Sequence, residues 1–560
     1  MTPHRNIWAT GAGIWRYGLF SVVALYSLSV LIFTLARCSQ GCLFFIVLLF
    51  LTALSAWYAT RVTLFVFAGS IPFLSGLSLT ILALPPGVIN AVFSTVYISW
   101  FLRYVLIKKV DIKPTTQAGF FIDVLSTVIL LSLFSVLVLY PFNQWKVFIR
   151  SLASFSQAHE LYGVYAAYIF LHGLFLFRLL EINGSGKNTG QVFRLAFTLQ
   201  AFTIVVFSGY QAFLGDAGWM DARFFKDRGL HWPLEDIHSY GSFLILLFSV
   251  FLFSIRGASV GRKWVNGGMA ILLGLCILLS FSRISCLVLL LVLALYLGSF
   301  LKRKKAATIA VMVCVVCVGS LIVVPDNVRI PGTSYTMKHF KTSHTFMYRV
   351  FRWRVTLDMI GVSPLTGLGM GGHYRLYPYY SKDAHVPDEW RTTAREGPEN
   401  AHNYFIQFAS DVGIPTLLLL LFILFLVFRR AFRACPKTRD EDSLRNGLTV
   451  GVGGYLVTCL LGHPLLLANQ LFLFWFAVAG MNMIPGGTGL SGTGFLDSAR
   501  VRKIGVVVLW AVLLAGYGYK LTTFKEWRGH EFGYYRSLPV SHQMTTLENP
   551  EQFFDPPLPV

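Results

Sequence analysis

Tyr404 to Phe428 reads YFIQFASDVGIPTLLLLLFILFLVF, an apolar run whose one charge is Asp411 and which is closed by Arg429 and Arg430. About twenty apolar residues in a row suffice to cross the hydrocarbon of a bilayer as a helix. The stretch therefore predicts one membrane span over 404–428. The same pattern recurs at 19–36, 41–60, 62–81, 85–107, 118–140, 159–180, 191–214, 238–255, 264–281, 284–301, 306–324, 447–466, 468–484 and 504–521. Composition agrees, with 55% of the 560 residues hydrophobic and 13% charged, against roughly 25% charged in soluble domains. A soluble globular protein is excluded. The expected fold is an all-α polytopic membrane protein of about 15 transmembrane helices, within a range of about 12 to 15.

The net charge of +21 raises the question of nucleic acid in a soluble chain. In a membrane chain, basic residues instead concentrate in cytoplasmic loops and set orientation. Arg103, Lys108, Lys109 and Lys113 form one such loop; Arg256, Arg262 and Lys263 another; Lys302 to Lys305 a third; Arg429, Arg430, Arg433, Lys437 and Arg439 a fourth. Even numbers of spans separate them, so all four share one side. No nucleic-acid partner is expected. The first apolar run is too long for a signal peptide and another follows closely, so it predicts a first span with a cytoplasmic N-terminus.

This layout divides the chain into N-terminal helices over 1–190 and central helices over 191–324, with an acidic external loop at 216–237. A large external loop follows at 325–403, then C-terminal helices over 404–521 and an external tail over 522–560. Function is expected in the large loop, since connections carry binding and catalytic groups on a rigid scaffold.

Within that loop, YRVFRWRVTLDMI from Tyr348 to Ile360 sets Arg349, Arg352 and Arg354 among apolar residues. It predicts an amphipathic helix with a headgroup-facing arginine stripe, from which Arg349 can reach a phosphate. PLTGLGMGGHY follows from Pro364, a turn whose glycines can bring backbone N–H groups close to an anion. Glu399-Asn400-Ala401-His402-Asn403 then leads into the 404–428 run, which places His402 at the outer mouth of a span.

The order Arg349-x-x-x-Trp353, Pro364-x-x-Gly367-x-Gly369-x-Gly371, His402-Asn403 and Asp411-x-Gly413 resembles the signature of the O-antigen ligase superfamily. That superfamily includes lipopolysaccharide O-antigen ligases, polysaccharide polymerases and bacterial protein O-oligosaccharyltransferases. Ser280-Phe281-Ser282-Arg283 resembles its Ser-Arg pair, and Arg228-Gly229 with Pro233 and His238 resembles its earlier external loop, although Ile237-His238-Ser239 stands where the family commonly has Pro-Asn. The resemblance covers roughly residues 200 to 480.

The resemblance implies a GT-C-like fold in a bacterial inner membrane, with the active site and tail periplasmic. It implies an inverting, metal-independent transfer of a glycan from an undecaprenyl-pyrophosphate lipid to an acceptor hydroxyl on lipid A-core, a glycan or a protein. Arg283, Arg228 and Arg349 would hold the pyrophosphate, His402 would be the catalytic residue, as base or by orienting the acceptor, and Gly367, Gly369, Gly371 and Asn403 would support the loop. The partners are then the lipid-linked donor, the hydroxyl acceptor and membrane lipids. No cofactor is implied. A flippase for the same lipid-linked glycans is the alternative of another class, disfavoured because the conspicuous charges cluster at one face rather than near the midplane.

Other motifs carry less. His339, His344, His373 and His385 match no zinc spacing. NGSGKNT from Asn183 to Thr189 lacks the spacing and the hydroxyl of a phosphate-binding loop and reads as a cytoplasmic turn. Cys314 and Cys317 read as packing residues, while Cys38 and Cys42 flank a short external turn that a disulfide can bridge.

Overall fold

A computed structural model of the protein describes residues 11–36, 42–80, 88–110, 112–139, 159–184, 188–213, 230–231, 233–234, 236–299, 344–383, 400–433, 438–484 and 499–522. Arg228, Lys302 to Lys305, His339, His385, Cys38, Cys314, Cys317, the 306–324 run, most of the 216–237 loop and the tail lie outside the described residues. Among the described residues there is no strand.

The helices are α1 (Gly11–Ala36), α2 (Cys42–Thr80), α3 (Val88–Trp100, continued by a π-helical turn Phe101–Ile107), α4 (Gln117–Leu139), α5 (His159–Asn183) and α6 (Thr189–Phe213). Next come α7 (Ile237–Ser254), α8 (Val260–Leu279), α9 (Arg283–Gly298), α10 (His344–Val362) and α11 (Gly372–Asp383). The chain continues with α12 (Tyr404–Val412), α13 (Ile414–Arg433), α14 (Arg439–Thr458), α15 (Ala468–Met483) and α16 (Ala499–Thr522). Eight of the described helices, namely α1, α2, α3 with its extension, α4, α6, α7, α8 and α13, are long and apolar enough to cross a membrane. The chain is a multi-pass membrane protein.

Burial separates central from peripheral helices. In α7 every residue from Ser239 to Ser254 is buried, as expected for a helix apolar all round. It packs against α14, α8 and α9. By contrast α8 turns Trp264, Val265, Ile271, Leu275 and Leu278 outward, the pattern of a face that meets lipid.

One expected span divides. The 41–60 and 62–81 runs remain two helices, which meet within α2 at Ala59, where φ is −139° and ψ 52°. Ser55 Oγ lies 2.6 Å from Thr63 Oγ1 across the interruption. A straight helix would set those residues about 12 Å apart along its axis, so the chain turns sharply there.

The 404–428 run, read above as one span, is two helices broken at Gly413, whose φ is +85°. A Cβ there would run into the Leu365 carbonyl, and the Ile414 N–H donates to Pro364 O at 2.8 Å. The preceding glycine turn fills the break. Apolar length alone reads across it because neither side of the break is polar enough to mark an end.

The described connections fall at two ends of the bundle. Arg256, Arg262, Arg194 and Arg439 to Asp442 meet at one, where Arg194 pairs with Asp440 at 2.6 Å and Arg262 with the same carboxylate at 3.4 Å. The first turns of α7, α9, α12 and α15 open at the other. The 18 residues of α7 hold the two ends about 27 Å apart.

Candidate functional site

The end away from the basic connections gathers Arg283, Arg349, His402 and Asn403 of the sequence-predicted residues. Asp236 caps α7, its Oδ2 accepting from both the N–H and the Oγ of Ser239 at 2.7 Å. Two residues on, His238 Nε2 accepts a hydrogen bond from an Arg349 guanidinium nitrogen at 3.3 Å, which ties α10 to α7.

Arg283 is the first residue of α9 and is exposed. A cation at a helix N-terminus opposes the helix dipole, so the position adds to an anion-attracting field instead of relieving it. The residue two before it, Phe281, has φ +54°. Positive φ in a bulky residue is a strained conformation, and such strain concentrates at functional sites.

His402 shows the same strain, with φ +46°. Its backbone N–H donates to Asn400 Oδ1 at 3.1 Å. Asn403 caps α12, its Oδ1 accepting from the Phe405 N–H at 3.1 Å and the Ile406 N–H at 3.3 Å. The Tyr404 N–H donates to Cys459 O at 2.9 Å and Gly462 O at 3.1 Å, pressing the segment onto the loop after α14. That loop carries His463, whose ring lies edge-on to His402 with centroids 5.0 Å apart. The Nδ1 atoms of both rings are buried and have no hydrogen-bond partner among the described residues.

The arginine stripe expected on α10 is split between its faces. Arg354 is exposed, but Arg352 is only 7% exposed and lies on the inward face with Phe351, Val355 and Thr356. Helical spacing explains this. Arg349 and Arg352 are three residues apart and share a face, whereas Arg354 is turned away. Thr356 Oγ1 donates to Arg352 O at 2.7 Å and lies 2.9 Å from His373 Nε2. With its own proton committed, Thr356 receives one from His373.

Electrostatics mark these groups as one cluster. Burial, then Arg352 and Arg283, push the Arg349 guanidinium below its ordinary value, and Asp236 opposes them. Burial first, then His463, Arg352, Arg349 and His238, hold the His402 ring well below its ordinary 6.5. Burial also lowers His463, to about 4, although Asp236 pulls the other way. His373 falls to about 3 through burial and Arg352. Asp236 is buried, which favours its neutral form, yet His463, His238 and the Ser239 hydrogen bonds bring it below the usual carboxylate value. Arg349 and Arg352 thus act on imidazoles that stay neutral at pH 7, and Arg283 acts on Arg349.

The glycine turn lies elsewhere. Gly367, Gly369 and Gly371 all have positive φ, but the N–H groups around them go to protein acceptors: Leu368 to Ser410 O and Gly369 to Asp411 O, both at 2.8 Å, Met370 to Ser132 Oγ at 3.2 Å and His373 to Asp411 Oδ1 at 2.8 Å. The turn clamps the far end of α12, and its glycines permit the close approach, since a Cβ on Gly367 would meet the Asp411 backbone. The nine residues of α12 separate it from His402 by about 13 Å. The backbone anion cradle expected from the glycine spacing is therefore replaced by a support for the helix that carries His402.

The amino-acid sequence does not mark Arg352, His463 and Asp236 as members of the cluster, and it offers His238 only as part of the earlier external loop. Gly462-His463-Pro464 is a helix break at the same end as His402, a signal that an end-by-end reading of the spans contains. Among the described residues no group of three His, Cys, Asp or Glu side chains is arranged to hold a metal ion.

Residues 268–421 match the family model described as O-Antigen ligase. The matched region includes Arg283, Arg349, Arg352, the glycine turn, His402 and Asp411, and it leaves out Asp236, His238 and His463. No curated protein matches the chain.

Proposed function

The match over residues 268–421 supports membership of the O-antigen ligase superfamily, and from that premise we propose that the protein is an inverting glycosyltransferase moving a glycan from an undecaprenyl-pyrophosphate lipid to an acceptor hydroxyl. The observation that carries this reading is the pair Arg349 and Arg352 beside a neutral, strained His402, with Arg283 adding its charge to that of Arg349. A gathering of guanidiniums that repel one another is stabilised when an anion occupies it. A diphosphate suits such a group, because guanidiniums pair with phosphate oxygens in two-point contacts and keep their charge.

In the proposed reaction the donor already carries its leaving group. The acceptor oxygen attacks the sugar C1 from the face opposite the diphosphate and forms the new C–O bond. The C1–O bond to the diphosphate breaks, and its electron pair goes to the departing diphosphate oxygen. Arg283, Arg349 and Arg352 stabilise the charge that develops there. The acceptor proton passes to His402, whose neutral ring can receive it. Diphosphate beside His402 counters the arginine field and makes the ring a better base in the complex than in the empty site.

Arg228, outside the described residues, is proposed as a further pyrophosphate contact on the family pattern. With charge stabilisation supplied by arginines and the leaving group already activated, the transfer is proposed to be metal-independent. The positive-inside bias assigns the basic end to the cytoplasm and the His402 end to the periplasm of a bacterial inner membrane. Polymerase and protein O-oligosaccharyltransferase activities use the same site chemistry with other acceptors.

The test is transfer by purified protein from a defined undecaprenyl-pyrophosphate glycan to lipid A-core, glycan and peptide acceptors. We expect His402→Ala to lower the turnover about 10²- to 10⁴-fold, and Arg283→Ala or Arg349→Ala about 10²- to 10³-fold. Donor movement across liposomes with no glycosidic bond formed would replace this reading with that of a flippase.

A further inference from the structure

His463 lies outside the region that matches the family model, yet its ring is edge-on to His402 at 5.0 Å. The loop that bears it also holds the strained segment in place, through the bonds from Tyr404 N–H to Cys459 O and Gly462 O. Position 462 sits close to α7 as well, since a Cβ on Gly462 would stand 3.8 Å from the Cβ of His238. The loop is therefore packed between the helix that caps with Asp236 and the segment that carries His402.

One amide joins the His463 imidazole to the His402 backbone. Asn400 Oδ1 accepts from the His402 backbone N–H at 3.1 Å, which leaves its Nδ2 as the group 3.5 Å from His463 Nε2. Nδ2 is a donor, so Nε2 of His463 is the acceptor and the ring proton resides on Nδ1. A single side chain thus fixes the tautomer of one histidine and the backbone of the other.

We propose that His463 is a positioning residue for His402, and that its ring contact and the shared Asn400 amide hold the His402 imidazole in the orientation that receives the acceptor proton. This rests on the transferase reading above. His402 has φ +46°, and a strained conformation persists only where its surroundings over-determine it. The 459–463 loop and Asn400 supply that constraint. The charged and titratable groups that face the pair are Asp236 and His238 from α7 and Arg349 and Arg352 from α10.

The test compares His463→Ala, His463→Phe and His463→Gln with wild type and His402→Ala in the transfer assay, with thermal unfolding of each detergent-solubilised variant. A misplaced base costs about 10²-fold, so His463→Ala is expected to lower kcat by about that factor while KM for the lipid donor stays within about twofold. Removing the second imidazole also lets water reach His402, so the acid limb of the kcat/KM profile moves to higher pH. His463→Gln, whose Oε1 can accept the Asn400 hydrogen bond, recovers part of kcat, and His463→Phe, which keeps only the ring contact, recovers less. Variants with wild-type kcat and pH profile, in a protein whose His402→Ala form is inactive, overturn the positioning role and leave the transferase reading standing. A drop in unfolding temperature with an unmoved pH profile overturns it too. Wild type that forms no glycosidic bond defeats the transferase reading itself.

Discussion

Two clusters of arginine in this molecule contrast in what surrounds their charge. In the first, Arg178 of α5 is fully buried and donates to Asp123 Oδ1 at 2.7 Å and to Ile112 O at 2.9 Å, and it also pairs with Glu181. Arg16 adds a second cation 3.4 Å from Asp123, and Glu181 accepts from Thr115 Oγ1 at 2.9 Å and Thr116 N–H at 2.7 Å. Gly119 makes room for that carboxylate, since a Cβ there would meet it. Arg178 thus meets two carboxylates directly. In the second cluster Arg283 and Arg352 both act on Arg349 as like charges, and Asp236 is the carboxylate that opposes them. The difference teaches where folding ends and binding begins: an arginine in direct contact with carboxylates ties helices together, and arginines gathered on one another favour an anion.

The comparison is broken most directly by the same substitution in both places. Arg178→Met strands Asp123 and Glu181, and removing one partner of a buried ion pair typically costs about 3–5 kcal/mol. Loss of folded protein in membrane extracts, or a large fall in unfolding temperature, is the expected outcome. Arg352→Met removes a charge that acts on Arg349, His402 and His463. Its thermal stability should fall less than that of Arg178→Met while transfer from the lipid donor falls. Equal losses of stability at the two sites would show that the second cluster is also a structural tie.

A second, smaller effect tests the support beneath the site. Gly413→Ala puts a side chain where φ is +85° and where a Cβ meets the Leu365 carbonyl. That combination of positive φ with ψ 160° is essentially confined to glycine and costs about 1–3 kcal/mol for another residue. Activity should fall with stability, because the glycine turn holds the far end of α12 while His402 sits at its near end. Unchanged unfolding temperature and turnover would remove the turn from the site's support.

The amino-acid sequence displays the bundle well and the site in part. Apolar runs mark nearly every described helix, because lipid demands length and hydropathy from each span separately. The break at Gly413 escapes that reading, since it depends on a turn from another segment filling it. His402 and Arg283 are legible through a motif that keeps them in order. Arg352 is hidden among three arginines of one helix until register decides which two face inward. His463 is hidden because its partner lies 61 residues away in a different connection, and no local pattern joins the two.

The smallest expected effect concerns protons and separates the two clusters without mutation. His402, His463 and His373 are neutral in the folded protein, with His463 pushed down to about 4 and His373 to about 3. An unfolded histidine titrates near about 6.5. A base whose folded value is depressed contributes stability that is fully present above the unfolded value and is lost as pH falls toward the folded one. Unfolding temperature should therefore decline as pH drops from about 6.5 toward about 4. Asp236, held below the usual carboxylate value, adds a loss in the same direction only below about pH 4. Inorganic pyrophosphate in the arginine cluster would stabilise the protonated rings and flatten the decline, whereas the Arg178 network offers it no place. A pH dependence that pyrophosphate leaves unaltered would mean that the histidines and the arginines do not share one anion site.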